Sequence, residues 1–129
     1  MYDPVVTLQR ISKTYSRAGT DVSVLRDLSF TIPAGTFLAI MGPSGSGKST
    51  LLNVMAGIDR PTSGSVVVAG TRLDDLSEGD MARWRARHIG YVFQSSNLIP
   101  VPTASENVEL PLLLTHLSRQ ERREHVKTA

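Results

Sequence analysis

Cysteine is absent from the 129 residues. That excludes a disulfide scaffold, a thiolate metal site and a cysteine nucleophile, and it fits a reducing compartment. A surplus of one charge is nearly absent too: 14 Lys and Arg stand against 12 Asp and Glu, for a net of +2. So small an excess does not mark nucleic acid or anionic lipid as a main partner. Long apolar runs are missing. The longest, Phe37-Leu-Ala-Ile-Met41, has five residues, where a membrane-spanning helix needs about twenty. Met1 to Arg10 lacks a basic stretch followed by an apolar core, so no signal peptide is expected. With 40% hydrophobic residues, the chain reads as one soluble, cytosolic-type domain, able to bury roughly two-thirds of its unfolded surface.

What is present alternates between strand and helix signals. Leu28-Ser-Phe-Thr-Ile32 alternates apolar and polar, and Val5 to Ile11 does so more weakly, which predicts an opening antiparallel pair. Phe37 to Met41 is apolar throughout, the pattern of a strand buried on both faces in a helix-covered parallel sheet. Leu51, Met55 and Ile58 recur at helical spacing, and Asp59-Arg-Pro-Thr-Ser-Gly64 stops that helix. A short strand is expected at Ser65–Ala69 and a buried one at Ile89–Phe93. Between them Ser77 with Asp80 reads as a helix cap, with Met81, Trp84 and His88 as the inner stripe. Thr103 with Glu106 and Ser118 with Glu121 form capping boxes for two more helices, the first interrupted by Pro111. The alternation indicates an α/β fold.

The strongest chemical signal is Gly42-Pro43-Ser44-Gly45-Ser46-Gly47-Lys48-Ser49-Thr50, which matches G-x-x-x-x-G-K-[ST]. Gly42, Gly45 and Gly47 permit backbone angles and approaches that a Cβ would block, so that successive N–H groups can surround a polyphosphate. The helix that starts here adds free N–H donors and the positive end of its dipole. Lys48 supplies a mobile charge for the β- and γ-phosphates, and the Ser49 hydroxyl can ligate Mg2+. The alternative is a plain Gly/Ser turn, but the four fixed positions co-occur by chance in only about half a per cent of chains this long. The buried-strand pattern before the loop and the periodic helix after it favour the cradle further. No N-K-x-D, D-x-x-G or G-x-G-x-x-G occurs, so elimination favours ATP over guanine nucleotides and dinucleotides.

With these residues in place, the chain resembles the N-terminal part of an ABC transporter ATPase subunit, and is most similar to the MacB/LolD-like subfamily of macrolide export and lipoprotein release. The resemblance runs from Val6 to about Arg123. It rests on Val24-Leu-Arg-Asp-Leu-Ser-Phe30, Leu51-Leu-Asn-Val-Met-Ala-Gly57, Arg60-Pro-Thr-Ser-Gly64, Ile89-Gly-Tyr-Val-Phe-Gln94 and Glu106-Asn-Val-Glu-Leu-Pro-Leu112. It implies a P-loop NTPase fold with an N-terminal antiparallel β part, incomplete at its C-terminus, and Mg-ATP as ligand. Tyr15 takes the adenine-stacking position. Gln94 takes the glutamine-loop position, addressing Mg2+ together with Ser49 and orienting water. Gln94 to Pro102 becomes the surface for a membrane permease subunit, with a second ATP-binding subunit as partner in the complete protein. The location implied is cytoplasmic, peripheral on the inner face of the membrane.

Three parts of that family's pattern do not occur in the 129 residues: an L-S-G-G-Q signature, an apolar strand ending in Asp-Glu, and a later switch His. Leu76-Ser-Glu-Gly-Asp80 precedes Gln94 and carries a Glu where the first Gly belongs, so it reads as linker and cap. His88, His116 and His125 fall in helical segments. The acidic group Asp74, Asp75, Glu78 and Asp80 reads as solvated charge near a helix start. Arg83, Arg85, Arg87, Arg119, Arg122 and Arg123 read as wet helix faces without interleaved aromatics. The expectation is that residues 1–129 are the N-terminal portion of the domain, from P-loop to glutamine loop. Alone they would leave the Phe37–Met41 strand without a neighbour, bind ATP weakly and hydrolyse it little. A truncated, non-hydrolysing ATP-binding module that regulates a permease is the alternative. A soluble ATPase acting on DNA or ribosomes is a third reading, disfavoured by the missing basic, aromatic-lined surface.

Overall fold

The computed structural model of the chain describes residues 3–95 and 97–129, in two units, Met1–Tyr91 and Val92–Ala129. The first is built on an antiparallel hairpin of β1 (Pro4–Arg17) and β2 (Thr20–Pro33). Ala18 and Gly19 join them with φ of 50° and 80°, the doubly positive two-residue turn whose twist matches that of the strands. The expected pair at Val5–Ile11 and Leu28–Ile32 is therefore present and extends well beyond both segments. β3 (Ser63–Val68) pairs antiparallel with β1 and carries the two-residue β4 (Thr71–Arg72), giving the order β2-β1-β3-β4. Val6 faces Val68 and Leu8 faces Val66 across the ladder, so alternate residues of both strands share one apolar face.

That face is covered by α1 (Lys48–Met55) and α2 (Glu78–His88). Leu8, Ile11, Val54 and Val66 are fully buried, and Val6, Leu25, Leu51, Met55, Val68, Leu73, Met81 and Trp84 complete the core around them. Each such side chain contributes roughly 1.5–3 kcal/mol on burial. α2 starts where the sequence predicts. The Ser77 hydroxyl accepts the Asp80 N–H and donates to the Asp80 carboxylate. The Ser77 hydroxyl, then Arg83 at 2.6 Å, holds the Asp80 carboxyl below its usual range. Its contribution is therefore present above the ordinary carboxylate value and is lost as pH falls through the lowered one. Ser77→Ala is expected to cost about 1 kcal/mol, read as a lower denaturation midpoint, because α2 carries Met81 and Trp84 into the core.

Several expectations are corrected. Phe37–Met41 is not a strand, and Phe37 and Met41 are 98% and 89% exposed. Ile89–Phe93 is not a strand either, with Val92 95% exposed. The reason is physical: a buried strand draws its hydrogen bonds from two neighbours, and among the described residues no strand lies against either run. The sheet that does form is wholly antiparallel. His88 is exposed, stacking on Trp84 with centroids 5.2 Å apart instead of joining the inner stripe. Arg85 is not a wet residue, since its guanidinium donates to the Gly57 carbonyl at 2.6 Å.

The second unit holds α3 (Ala104–Glu109), a 3-10 turn at Leu110–Leu114 containing Pro111, and α4 (Arg119–Thr128). Both expected capping boxes are formed in full. Neither helix buries a residue, and they are joined by the half-buried Arg122–Glu109 ion pair at 3.0 Å. Arg122, like Arg85, is a structural tie and not part of a wet face. Among the described residues no helix is long and apolar enough to cross a membrane.

Candidate functional site

The Gly42–Ser49 segment leaves the core and turns back into α1. The Ser46 N–H closes a turn on the Pro43 carbonyl at 3.3 Å. Gly47 then stands at φ 89° as the helix N-cap. A Cβ there would lie 3.0 Å from Val24 Cγ1 and 3.1 Å from the Val24 carbonyl, so only glycine lets the loop press against β2 and still enter the helix. No side chain caps α1, and its first turn holds no acidic residue. The leading N–H groups of the helix thus remain available to an anion, reinforced by the helix dipole.

Lys48 reaches back across the loop. Its Nζ donates to the carbonyls of Gly42 at 2.8 Å and Pro43 at 2.7 Å, and lies 3.3 Å from Ser46 Oγ. The ammonium is thereby parked at the loop on neutral acceptors, and among the described residues no carboxylate pairs with it. Anionic oxygens compete well against such acceptors, because charge-assisted hydrogen bonds are roughly twice as strong as neutral ones. Gly42 to Ser46 and Ser49 are exposed. The Ser49 hydroxyl is an exposed oxygen, the donor type that a hard cation takes. A cavity of about 540 Å3 also touches Lys48 and Ser49, but Val5, Ile32, Leu38, Ile40 and Leu52 line it; apolar walls do not suit phosphate.

Tyr15 lies near the end of β1 and belongs to the same neighbourhood, since Thr50 in the first turn of α1 is near enough to pull its phenol downward. The Tyr15 hydroxyl donates to Asp59 at 2.7 Å. Burial, then the Asp59 hydrogen bond, raises the Tyr15 phenol, against the opposing pull of Thr50 and Lys13. Burial works to raise Asp59, but hydrogen bonds from Lys13, Tyr15 and the Arg60 N–H outweigh it and hold the carboxyl below its usual range. Sequence reasoning passed over Lys13 and Asp59, reading Asp59 only as part of a stop signal. The single hint was its place directly before the Arg60–Gly64 motif.

Gln94 is exposed in the second unit. Of the expected partner surface, Gln94, Ser95 and residues 97–102 are described and exposed or half-buried, while Ser96 lies outside the described residues. Of the acidic group, half-buried Asp74 accepts from the Val66 N–H and Arg72, while Asp75, Glu78 and Asp80 are exposed, solvated charges paired with Arg72, Arg60 and Arg83. Leu76–Asp80 serves as linker and helix cap.

Residues 25–129 match the ABC transporter family. The chain belongs to this family. It is similar to the macrolide export ATP-binding/permease protein MacB of Burkholderia pseudomallei, 41% identical over 96% of this chain and 19% of that protein. It is also similar to the lipoprotein-releasing system ATP-binding protein LolD of Francisella tularensis, 40% identical over 100% of this chain and 55% of that protein. Among solved structures it is similar to the ATP-binding cassette MJ0796 of Methanocaldococcus jannaschii, a dimer bound to ADP and Pi. That match has a TM-score of 0.85 and 41% identity over 95% of this chain and 54% of that one. The backbone of this ABC family member therefore follows the cassette fold, and its sequence groups with the MacB/LolD-like subfamily. The chain spans about half the length of the ATP-binding relatives it matches.

Proposed function

We propose that this chain is the nucleotide-holding N-terminal portion of an ABC transporter ATP-binding subunit. The observation that carries this reading is the loop itself: a helix N-terminus without a side-chain cap, and beside it the Lys48 ammonium parked on neutral carbonyls. The backbone of Gly42 to Thr50 receives the phosphates, Lys48 draws the β- and γ-phosphates, and the exposed ring of Tyr15 stacks on adenine. Ser49 and Gln94 would hold Mg2+, which neutralises the charge that builds on the transferring phosphoryl group. In the complete domain, hydrolysis drives export or lipoprotein or peptide release by a membrane permease, contacted around Gln94 to Pro102, with a second ATP-binding subunit as partner. The subunit works on the cytoplasmic face of the membrane. The names of the MacB and LolD relatives support this assignment.

By themselves these residues hold nucleotide and turn it over little, because they include neither a general-base carboxylate strand nor a signature. Mg-ATP at tenfold above its dissociation constant is expected to add about 1.4 kcal/mol of stability and raise the melting temperature by roughly 4–6 °C. Inorganic phosphate is tallied in the same samples. No thermal response to Mg-ATP would discard the reading, and release well above that of Lys48→Ala would discard the low-turnover part of it.

A further inference from the structure

Lys13, Tyr15 and Asp59 form a group for which phosphate binding has no use. Lys13 and Tyr15 are two residues apart on β1 and so share one face of the strand. Asp59 stands in the turn after α1 and gives one carboxylate oxygen to each. Lys13 Nζ lies 2.6 Å from Oδ1 and the Tyr15 hydroxyl 2.7 Å from Oδ2. Lys13 also donates to the Arg60 carbonyl at 2.7 Å, and the Arg60 N–H donates to Asp59 at 2.8 Å. The Lys13 side chain is only 12% exposed, so it cannot swing away into water.

The consequence falls on the tyrosine ring. Its hydroxyl is held by Asp59, and the Lys13 ammonium sits 4.8 Å from the ring centroid, within cation–π range. Yet Tyr15 remains 39% exposed. A tyrosine needed only for packing would not combine a fixed hydroxyl, an occupied face and that much open surface. A ring held this way has already lost the rotamer freedom that a free surface tyrosine would lose on binding.

We propose that Asp59 and Lys13 are positioning residues that hold Tyr15 so that its open face is presented to the adenine base; this rests on the nucleotide reading above. The ion pair between Lys13 and Asp59 anchors the turn, and the hydroxyl bond transmits that anchor to the ring. Removing the hydroxyl alone separates the two roles, because Tyr15→Phe keeps the ring and leaves the Lys13–Asp59 pair intact.

The test compares Mg-ATP with magnesium tripolyphosphate, which has the phosphates and no base, on the full chain by titration calorimetry. Tyr15→Phe and Asp59→Asn are each expected to weaken Mg-ATP about three- to tenfold, the range for ordering one side chain. Tripolyphosphate affinity should stay unchanged. The double variant should be no weaker than either single one, since both act through the same ring. If Tyr15→Phe binds Mg-ATP as the natural chain does while Tyr15→Ala loses affinity, the ring works unheld and the proposal is overturned. Equal losses for both ligands in Asp59→Asn and none in Tyr15→Phe would make Asp59 merely structural, which also overturns it. Unchanged Mg-ATP binding by Tyr15→Ala would sink the adenine assignment instead, and no tripolyphosphate binding by the natural chain would sink the cradle.

Discussion

Lys48→Ala is expected to lower Mg-ATP affinity roughly a hundredfold, equivalent to about 3 kcal/mol for removing one charged partner of a phosphate. The fold should be almost untouched. In the free protein the ammonium rests on the Gly42 and Pro43 carbonyls, both on exposed residues, and water replaces it there. A stability change within about 0.5 kcal/mol follows. Titration calorimetry beside a denaturation curve separates the two quantities. Lys48→Arg is not a rescue, because a planar fork cannot occupy a position where a compact ammonium meets two converging carbonyls. A variant that lost affinity only in proportion to lost stability would show the lysine to be a loop brace and not a ligand for phosphate.

Gly64→Ala is expected to be the most damaging single methyl in the chain. Gly64 has φ +92°, and a Cβ there would lie 2.4 Å from the Arg10 carbonyl oxygen and 2.6 Å from that of Gln9. These are backbone atoms of β1, the strand that carries both β2 and β3, so no rotamer change relieves the clash. Arg10 is itself at φ 48°, within the irregular stretch between Leu8 and Ile11. Strain and displaced pairing together should cost about 3–4 kcal/mol. For a domain this size that is a fall in melting temperature of roughly 10–20 °C. Gly45→Ala is the control: φ is +79° but nothing lies within 4 Å of the added Cβ, so only the backbone term of about 1–2 kcal/mol remains. Thermal unfolding of the two variants side by side decides whether contact or conformation sets the loss. Equal shifts would refute the contact argument.

Local chemistry made several features legible. Ser77, Thr103 and Ser118 cap helices where their spacing to Asp80, Glu106 and Glu121 says they should. A cap needs only four consecutive residues, so nothing distant can overrule it. The hairpin of β1 and β2 was legible for a similar reason, since short connections make sequential strands neighbours. Phe37–Met41 misleads because apolarity records where a segment prefers to be, while strand character depends on a ladder supplied by other segments. His88 and Arg85 were misplaced because helical periodicity gives a face but not what lies against it. Trp84 fills the core position and turns His88 outward, and the Gly57 carbonyl captures Arg85.

The order of residues alone determined the Gly42–Thr50 loop, because its parts are contiguous, and the phosphate binding proposed for it draws only on backbone N–H groups and one adjacent lysine. The family likewise could be read from short strings along the chain. Only the tertiary structure decided how Tyr15 is held. Its hydrogen-bond partner Asp59 lies 44 positions away, and the two meet because folding brings the turn after α1 back beside β1. A hydrogen bond depends on separation in space, and folding is what converts separation along the chain into that distance.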